Sequence, residues 1–288
     1  MNMGRREFLQ VLAAASAAGL SLDHPLALAQ NAKGFYDIPK LGNVHLLHFT
    51  DCHAQLLPIY FREPDVNLGI AAASGRPPHL VGDKLLRHFN IKPGSLDAHA
   101  FTYLDFEKAA RAYGKVGGFA YLTTLVRQLR AERPNALLLD GGDTWQGSAT
   151  ALWTKGQDMI DACLQLGVNV MTGHWDFTLG DKRVREVVEN DFKGKVDFIA
   201  QNVHTTDFGD PVFPPYVFKE LNGVPVAIIG QAFPYTPIAN PRYMVPDWSF
   251  GIKEAEMQKI VDEVRKKGAQ VVVSVSYTHL TLPTKRIV

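Results

Sequence analysis

Acidic and imidazole side chains recur at three places where an apolar stretch of the sequence ends. Carboxylate oxygens and imidazole nitrogens together form a ligand set that suits hard or borderline divalent cations. Several such groups at strand ends predict a metal site, because the carboxyl ends of parallel strands meet at one edge of a sheet. In chain order these residues are Asp51, His53, Asp143, His174 and Asp176.

The first pair, Asp51 and His53, is a weak signal by itself, since an Asp-x-His triplet often occurs by chance. Cys52 lies between the two and could act as a thiol ligand or nucleophile. If the preceding strand continues, however, its side chain points away from both neighbours, so we assign it a structural role. The metal prediction therefore depends on the two later strand ends.

Short apolar stretches are predicted to form buried strands, and three of them come directly before the candidate ligands. Helical periodicity between them predicts successive β-loop-α units, whose parallel strands lie side by side. Asn222-Gly223 predicts the turn of a later hairpin. The predicted strands are residues 44–49, 136–139, 168–171, 196–200, 216–221, 224–229 and 270–274, and the predicted helices are residues 80–89, 106–113, 119–134, 147–166 and 252–267.

The amino terminus has the features of a twin-arginine export signal. The pair Arg5-Arg6 precedes an apolar stretch at residues 11–22, and Ala27 and Ala29 supply the small residues that a signal peptidase needs. The apolar stretch is too short to span a bilayer as a stable helix. We therefore predict a signal peptide over residues 1–29, a periplasmic protein and no stable membrane association. The alternative is an amphipathic amino-terminal helix.

The composition is that of a globular protein and limits the classes of partner. The 288 residues can form one large α/β domain or two smaller ones, and a formal net charge of +1 argues against nucleic acid as a partner. Two cysteines are too few for a disulfide framework, and the helical spacing of Cys163 from Leu166 predicts a core position. Residues 55–114, with Pro and Gly at intervals, are predicted to be a long insertion.

Three motifs together resemble the calcineurin-like metallophosphoesterases, specifically their 5′-nucleotidase branch, over about residues 44–276. The motifs are Asp-x-His at residues 51–53, Gly-Asp at 142–143 and Gly-His-Trp-Asp at 173–176. The resemblance implies an α/β sandwich of two mixed β-sheets flanked by helices. It also implies two divalent cations, which lower the pKa of a bound water and so supply a nucleophile. Asp51 and His53 would hold the first cation, Asp143 would bridge, and His174 would hold the second.

Within that branch the sequence resembles the SoxB sulfate thiohydrolases. Where the nucleotidases have Asn-His, this chain has His174-Trp175, and an indole is a poor partner for a phosphoryl oxygen. Further SoxB-like stretches lie at residues 50–56, 60–64, 113–118 and 173–178. The resemblance implies a periplasmic dimanganese hydrolase that releases sulfate from a cysteine S-thiosulfonate borne on the SoxYZ carrier protein.

Five residues are candidates for the catalytic side of this site. His174, Trp175 and Asp176 come from the Gly-His-Trp-Asp motif, and Trp175 is either an apolar wall of the site or a core indole. Arg62 or Lys115 could meet the negative charge of a sulfonate. Either is more often a solvated surface cation.

The sequence departs from the family towards its carboxyl end. The family has a His after the strand at residues 270–274, where this chain has Tyr277, and the later Gly-His-x-His pair is absent. We expect the catalytic domain at residues 30–276 to be truncated and residues 277–288 to be a foreign tail, so His279 is not offered as a ligand. With both sets of metal ligands incomplete, this polypeptide is expected to be weakly metallated and inactive, unlike its parent enzyme.

Two alternatives remain open from the sequence. The first is a periplasmic 5′-nucleotidase or cyclic phosphodiesterase, which would use the same cations on phosphate; the His174-Trp175 pair weighs against it. The second is a non-catalytic periplasmic module that binds a partner protein or a metal.

Overall fold

A computed structural model describes residues 41–60, 69–104 and 106–277, which divide into two compact units. The smaller unit contains Tyr60 and the described residues from 69 to 116, and the larger contains residues 41–59 and 117–277. The predicted signal peptide, Arg62 and residues 278–288 lie outside the described residues, so the predictions about them stay predictions.

The smaller unit is built from short helices. Its helices are α1 (Gly82–His88), α2 (Leu96–Phe101) and α3 (Phe106–Tyr113), with a 3-10 turn at Ala71–Ala73. The predictions at residues 80–89 and 106–113 are confirmed, whereas α2 was not predicted. Ser95 begins α2, because its hydroxyl accepts a hydrogen bond from the Ala98 amide at 3.1 Å and so satisfies one of the unpaired donors of the first turn.

The first sheet of the larger unit is parallel and presents the candidate ligands. Its strands, in spatial order, are β1 (Leu46–Phe49), β2 (Leu137–Asp140), β3 (Val170–Met171) and β4 (Asp197–Phe198). Phe49 pairs with Asp140, and Asp140 pairs with Met171. The three strands that precede the candidate ligands therefore end at the same level, on one edge of the sheet.

The second sheet is mixed. Strands β6 (Tyr216–Leu221) and β7 (Val224–Gln231) form the predicted hairpin, and β9 (Val271–Ser276) joins β7 in parallel. Asn222 and Gly223 have φ values of 52° and 79°, as expected for the central residues of a type I′ turn. A separate antiparallel pair is formed by β5 (His204–Thr205) and β8 (Trp248–Ser249).

Six helices complete the described part of the larger unit. They are α4 (Phe119–Glu132), α5 (Ala149–Thr154), α6 (Gln157–Leu166), α7 (Asp181–Glu186), α8 (Thr236–Ala239) and α9 (Glu254–Lys266). The prediction that residues 147–166 are mostly helical is confirmed. The segment forms two helices, because Lys155 and Gly156 both adopt left-handed conformations, with φ of 53° and 78°. None of the described helices has the length and apolar character needed to cross a membrane.

Alternating side chains of the strands separate the apolar residues into two layers on either side of the parallel sheet. Leu138, Met171 and Cys163 lie in the layer between this sheet and the helices, and burying each large apolar side chain contributes about 1.5–3 kcal/mol. Leu139 and Ile228 lie in the layer between the two sheets. On its other face the second sheet packs Ala227 against α9. The α/β sandwich of two sheets flanked by helices, predicted from the sequence, is confirmed.

Arg130, near the end of α4, holds the chain segment that leads into β3. Its guanidinium donates to the carbonyl oxygens of Leu166 and Gly167, at 2.9 and 2.7 Å, and to Asn169 Oδ1 at 3.0 Å. The same Asn169 oxygen accepts a hydrogen bond from the Leu138 amide at 2.8 Å. The Arg130 guanidinium therefore joins the end of α4 to the start of β3, the strand that leads to His174.

Candidate metal centre

The loops after β1, β2 and β3 bring four predicted ligands together. His53 Nε2 lies 3.4 Å from Asp143 Oδ2 and 3.8 Å from Asp51 Oδ1. His174 Nδ1 lies 3.1 Å from the same oxygen of Asp143. Asp143 is thus placed between the other ligands, as the resemblance implied for a bridging carboxylate. The ligand atoms of Asp51, His53 and Asp143 all lie within 4.8 Å of one another.

The backbone at these ligands adopts conformations that are uncommon outside glycine. Asp51, His53 and Asp143 have φ of 57°, 48° and 58°, in the left-handed region. The loops are held by main-chain hydrogen bonds from Asp51 N to Gly142 O and from His53 N to Asp143 O, both 2.9 Å long. Each such residue costs of order 1 kcal/mol, and strain of this kind concentrates at functional sites.

Gly142 allows the second and third loops to approach closely. Its φ is 96°, and a Cβ built on it would lie 2.8 Å from the amide nitrogen of His174. Real Cβ atoms essentially never come this close to backbone. A glycine is therefore required here for steric reasons as well as for its backbone conformation.

Several ligand atoms are buried without the hydrogen bonds that such atoms normally have. Among the described residues, nothing donates to Asp51 Oδ2 or Asp143 Oδ1, and His174 Nε2 has no hydrogen-bond partner. A buried polar atom left unsatisfied costs about 1–3 kcal/mol. Oxygen and nitrogen ligand atoms that converge without hydrogen-bond partners are suited to bind divalent cations. Asp51, His53 and Asp143 would hold one cation, while the described part of the chain offers Asp143 and His174 to a second.

Asp176 faces backbone amides of the ligand loops. It is fully buried, and both of its carboxylate oxygens accept hydrogen bonds from amides of the loops that carry Asp143 and His174. Burial raises the pKa of its carboxyl, and these amide hydrogen bonds oppose that shift. Asp176 therefore lies beside the candidate ligands, and its predicted catalytic role stays a prediction.

Asp140, at the end of β2, is a second buried carboxyl that the sequence did not single out. One of its oxygens accepts hydrogen bonds from the Gly142 amide and the Thr144 hydroxyl, both at 2.9 Å. Its other oxygen lies 4.0 Å from the Cys163 sulfur. Burial, and then the nearby charge of Asp176, raises the pKa of Asp140 well above its ordinary value.

The two cysteines behave as apolar packing groups. Cys163 is fully buried in the layer between the parallel sheet and its helices, which confirms its predicted core position. Cys52 is partly buried and packs against the same layer. Burial, followed by the charge of Asp140, raises the pKa of the Cys52 thiol. The thiol is therefore neutral, in agreement with the structural role that we assigned to it.

Aromatic rings enclose His174 on two sides. The ring of Phe233 lies 4.0 Å from the imidazole, centroid to centroid, and that of Tyr277 lies 4.1 Å away. The Phe233 amide also donates to Gly173 O at 3.0 Å. Sequence reasoning missed Phe233, which follows β7 of the second sheet.

The remaining predicted catalytic residues lie in different places. Trp175 is half-buried next to His174, with ring centroids 5.9 Å apart, and its indole nitrogen has no partner among the described residues. Lys115 belongs to the smaller unit, where its ammonium lies 5.6 Å from the centroid of the Tyr60 ring. The roles of both residues stay predictions.

Among solved structures, the fold is similar to that of the sulfate thiohydrolase SoxB of Thermus thermophilus. The TM-score is 0.67 at 35% sequence identity, over 84% of this chain and 45% of that protein. The parallel sheet, which presents the candidate ligands, and the second sheet therefore belong to a known α/β architecture.

In sequence, the chain is similar to nucleotidases. The chain is 29% identical over 203 residues to the 2′,3′-cyclic-nucleotide 2′-phosphodiesterase/3′-nucleotidase of Haemophilus influenzae, which covers 63% of this chain and 30% of that protein. It is 31% identical over 152 residues to the 5′-nucleotidase of Rattus norvegicus, over 48% of this chain and 24% of the relative. No family model matches.

The chain thus spans less than half the length of these relatives. The fold is similar to that of the calcineurin-like amino-terminal domain of SoxB and the 5′-nucleotidases.

Proposed function

We propose that the chain is the metal-binding part of a periplasmic sulfate thiohydrolase, which releases sulfate from a cysteine S-thiosulfonate carried by a partner protein of the SoxYZ type. The observation that carries this proposal is His174. Its imidazole lies 3.1 Å from the central carboxylate, Asp143, at the position where the nucleotidase motif has an amide. The 35% identity to a SoxB structure supports the same choice over a phosphoesterase.

The residues of this chain would perform separate tasks. Asp51, His53, Asp143 and His174 would hold two divalent cations, which supply a Lewis acid and an activated water at neutral pH. Trp175 would line the site with an apolar surface that limits access of bulk water. Lys115 or Arg62 would meet the negative charge of the sulfonate, as a cation does in phosphate recognition. No nucleophilic side chain is needed, which agrees with the neutral thiol of Cys52.

We propose Mn²⁺ as the metal, on the basis of the SoxB resemblance. A mixed oxygen and nitrogen ligand set also binds Zn²⁺ and Fe²⁺ well, so availability in the compartment contributes to the choice. Export by the twin-arginine route, which we propose from Arg5-Arg6, would allow loading before the folded protein reaches the periplasm.

The test compares two substrates on two proteins. The two proteins are this chain and a full-length relative with the same Gly-His-Trp-Asp motif, each loaded with Mn²⁺. Each protein is given either a carrier protein bearing a cysteine S-thiosulfonate or a nucleoside monophosphate. Sulfate and phosphate release are measured. We expect the relative to favour the thiosulfonate by at least about 100-fold, because selection between the two rests on differential binding in one site. This chain is expected to bind less Mn²⁺ and to turn over weakly.

The control is the substitution in the relative that is equivalent to Asp143→Asn. Loss of the central carboxylate should abolish release from both substrates. Faster phosphate release than sulfate release would overturn the thiohydrolase proposal. Sulfate release that survives both this substitution and a chelator would overturn the metal mechanism.

The second candidate is a periplasmic nucleotidase or cyclic phosphodiesterase. The names of the sequence relatives favour it, since both the Haemophilus and the rat protein act on nucleotides by name. The same assay decides between the two, because a nucleotidase would release phosphate and leave the thiosulfonate intact.

A further inference from the structure

We infer that Asp176 is a positioning residue that sets the two metal-ligand loops into their binding geometry before a cation arrives. This inference rests on the metal centre in the proposed function. It assigns to a fully buried carboxylate the task of holding the ligands Asp143 and His174 at a fixed separation.

The contacts of Asp176 are all with backbone amides of the ligand loops. Oδ2 accepts from the amides of Asp143 at 2.8 Å and His174 at 3.0 Å. Oδ1 accepts from the amides of Thr144 at 3.0 Å and Trp145 at 2.8 Å. A single oxygen therefore joins two candidate ligands that are 31 residues apart in sequence, since both donate to Oδ2.

This arrangement explains how the strained loop is maintained. Asp143 has a left-handed backbone, and such a conformation persists only when its surroundings over-determine it. Three successive amides, from Asp143 to Trp145, point at one carboxylate, which fixes the direction of the chain through this turn. Hydrogen bonds to an ionised acceptor are about twice as strong as neutral ones.

The neighbouring Asp140 provides a matched comparison. It is also fully buried, and it is the last residue of β2. However, the two hydrogen bonds that it accepts from the ligand loop, from Gly142 N and Thr144 Oγ1, both go to Oδ1, while Oδ2 faces the Cys163 thiol at 4.0 Å. Asp140→Asn can keep both bonds on its remaining oxygen. Asp176→Asn cannot keep all four, because its amide nitrogen would face two N–H donors.

The variant test measures Mn²⁺ binding by titration calorimetry on the whole chain. We expect Asp176→Asn to lower the affinity by about 10- to 100-fold, the usual cost of removing a group that orients metal ligands. Asp140→Asn should change the affinity by less than about threefold. The absorption bands of bound Co²⁺, which report ligand geometry, should change in Asp176→Asn and not in Asp140→Asn. Equal affinities and equal spectra in the two variants would refute the inference.

Hydrogen exchange of the wild-type chain without metal provides a test that needs no variant. The amides of Asp143, Thr144, Trp145 and His174 should exchange at least about tenfold more slowly than unbonded loop amides, because opening them requires breaking the contacts of Asp176. Exchange at the rate of open loops would overturn the inference, even if Asp176→Asn failed to fold. This measurement involves neither a cation nor a substrate, so it is distinguishable from a failure of the proposed thiohydrolase activity.

Discussion

Two buried carboxyl groups lie beside the ligand Asp143, and they differ in what surrounds their oxygens. Asp176 is met by amides on both oxygens, whereas one oxygen of Asp140 faces only the sulfur of Cys163. The sequence could identify Asp51, His53, Asp143 and His174, because a ligand that follows a parallel strand has only one edge on which to lie. It could not show the hydrogen bonds of Asp176, since no local pattern reveals that a side chain turns back towards a loop 33 residues earlier.

Asp140→Asn should make the metal-free protein more resistant to alkaline conditions. The pKa of Asp140 is raised by burial, so the folded protein holds this proton more tightly than the unfolded chain does. Its contribution to stability is therefore present at low pH and is lost as the pH rises through the raised pKa, at up to about 1.4 kcal/mol per pH unit. Asn does not titrate, so the free energy of unfolding of the wild type should fall relative to that of the variant as the pH rises.

Urea unfolding in a chelator, at several pH values from acid to neutral and above, measures this difference. A constant difference between the two proteins across the whole range would show that Asp140 does not titrate in this way.

At the scale of elements, the close approach of the loops after β2 and β3 determines the geometry of the site. The order of strands and the edge on which the ligands lie could be predicted from apolar stretches and motif positions. The helical character of residues 147–166 was predicted, whereas the exact break between α5 and α6 is seen only in the left-handed conformations of Lys155 and Gly156. Phe233 was missed because it comes from the second sheet, whose packing on the first is not visible in local sequence.

Gly142→Ala should disturb this loop contact, and Gly268→Ala is its matched control. The two glycines have nearly the same φ, 96° and 99°, so an added Cβ is equally strained in both. Only at Gly142 would that Cβ meet the backbone of Gly173 and His174, whereas at Gly268 it has open space. We expect Gly142→Ala to lower the free energy of unfolding by about 1–3 kcal/mol more than Gly268→Ala does.

Chemical denaturation of the metal-free proteins gives these values, and Mn²⁺ titration should show weakened binding in Gly142→Ala alone. Equal destabilisation by the two substitutions would mean that the loops can separate without cost.

At the scale of the whole molecule, the sandwich brings the ends of both sheets to one place. Tyr277 follows β9 of the second sheet, yet its ring lies beside His174, which follows β3 of the first. The family fold was predictable because the motifs occur in order along the chain. The resemblance to the family also places a histidine at position 277. Only the packing of the two sheets shows that this position contacts His174.

The stoichiometry of Mn²⁺ binding should therefore be limited by ligands for the second cation. Asp51, His53 and Asp143 form a three-residue group, whereas only Asp143 and His174 are available to the second cation in the described part of the chain. We expect equilibrium dialysis to find no more than about one bound Mn²⁺ per chain. Tyr277→His should raise this number, because it places an imidazole next to His174.

Tyr277→Phe is the control, since it keeps the ring and adds no ligand. Two tightly bound equivalents in the wild-type chain would contradict this account, and so would an equal rise in the Phe variant.

The left-handed backbone at Asp51, His53 and Asp143 has a consequence for how mutations at the site are interpreted. Alanine at any of these positions would remove a ligand and also favour a different local conformation, so a loss of metal binding would have two causes. Asn is the residue other than glycine that most readily adopts this conformation. The difference in free energy of unfolding between Asn and Ala variants of the metal-free protein therefore reports the conformational preference of the loop, whereas metal binding by an Asn variant also includes any ligation by its amide oxygen.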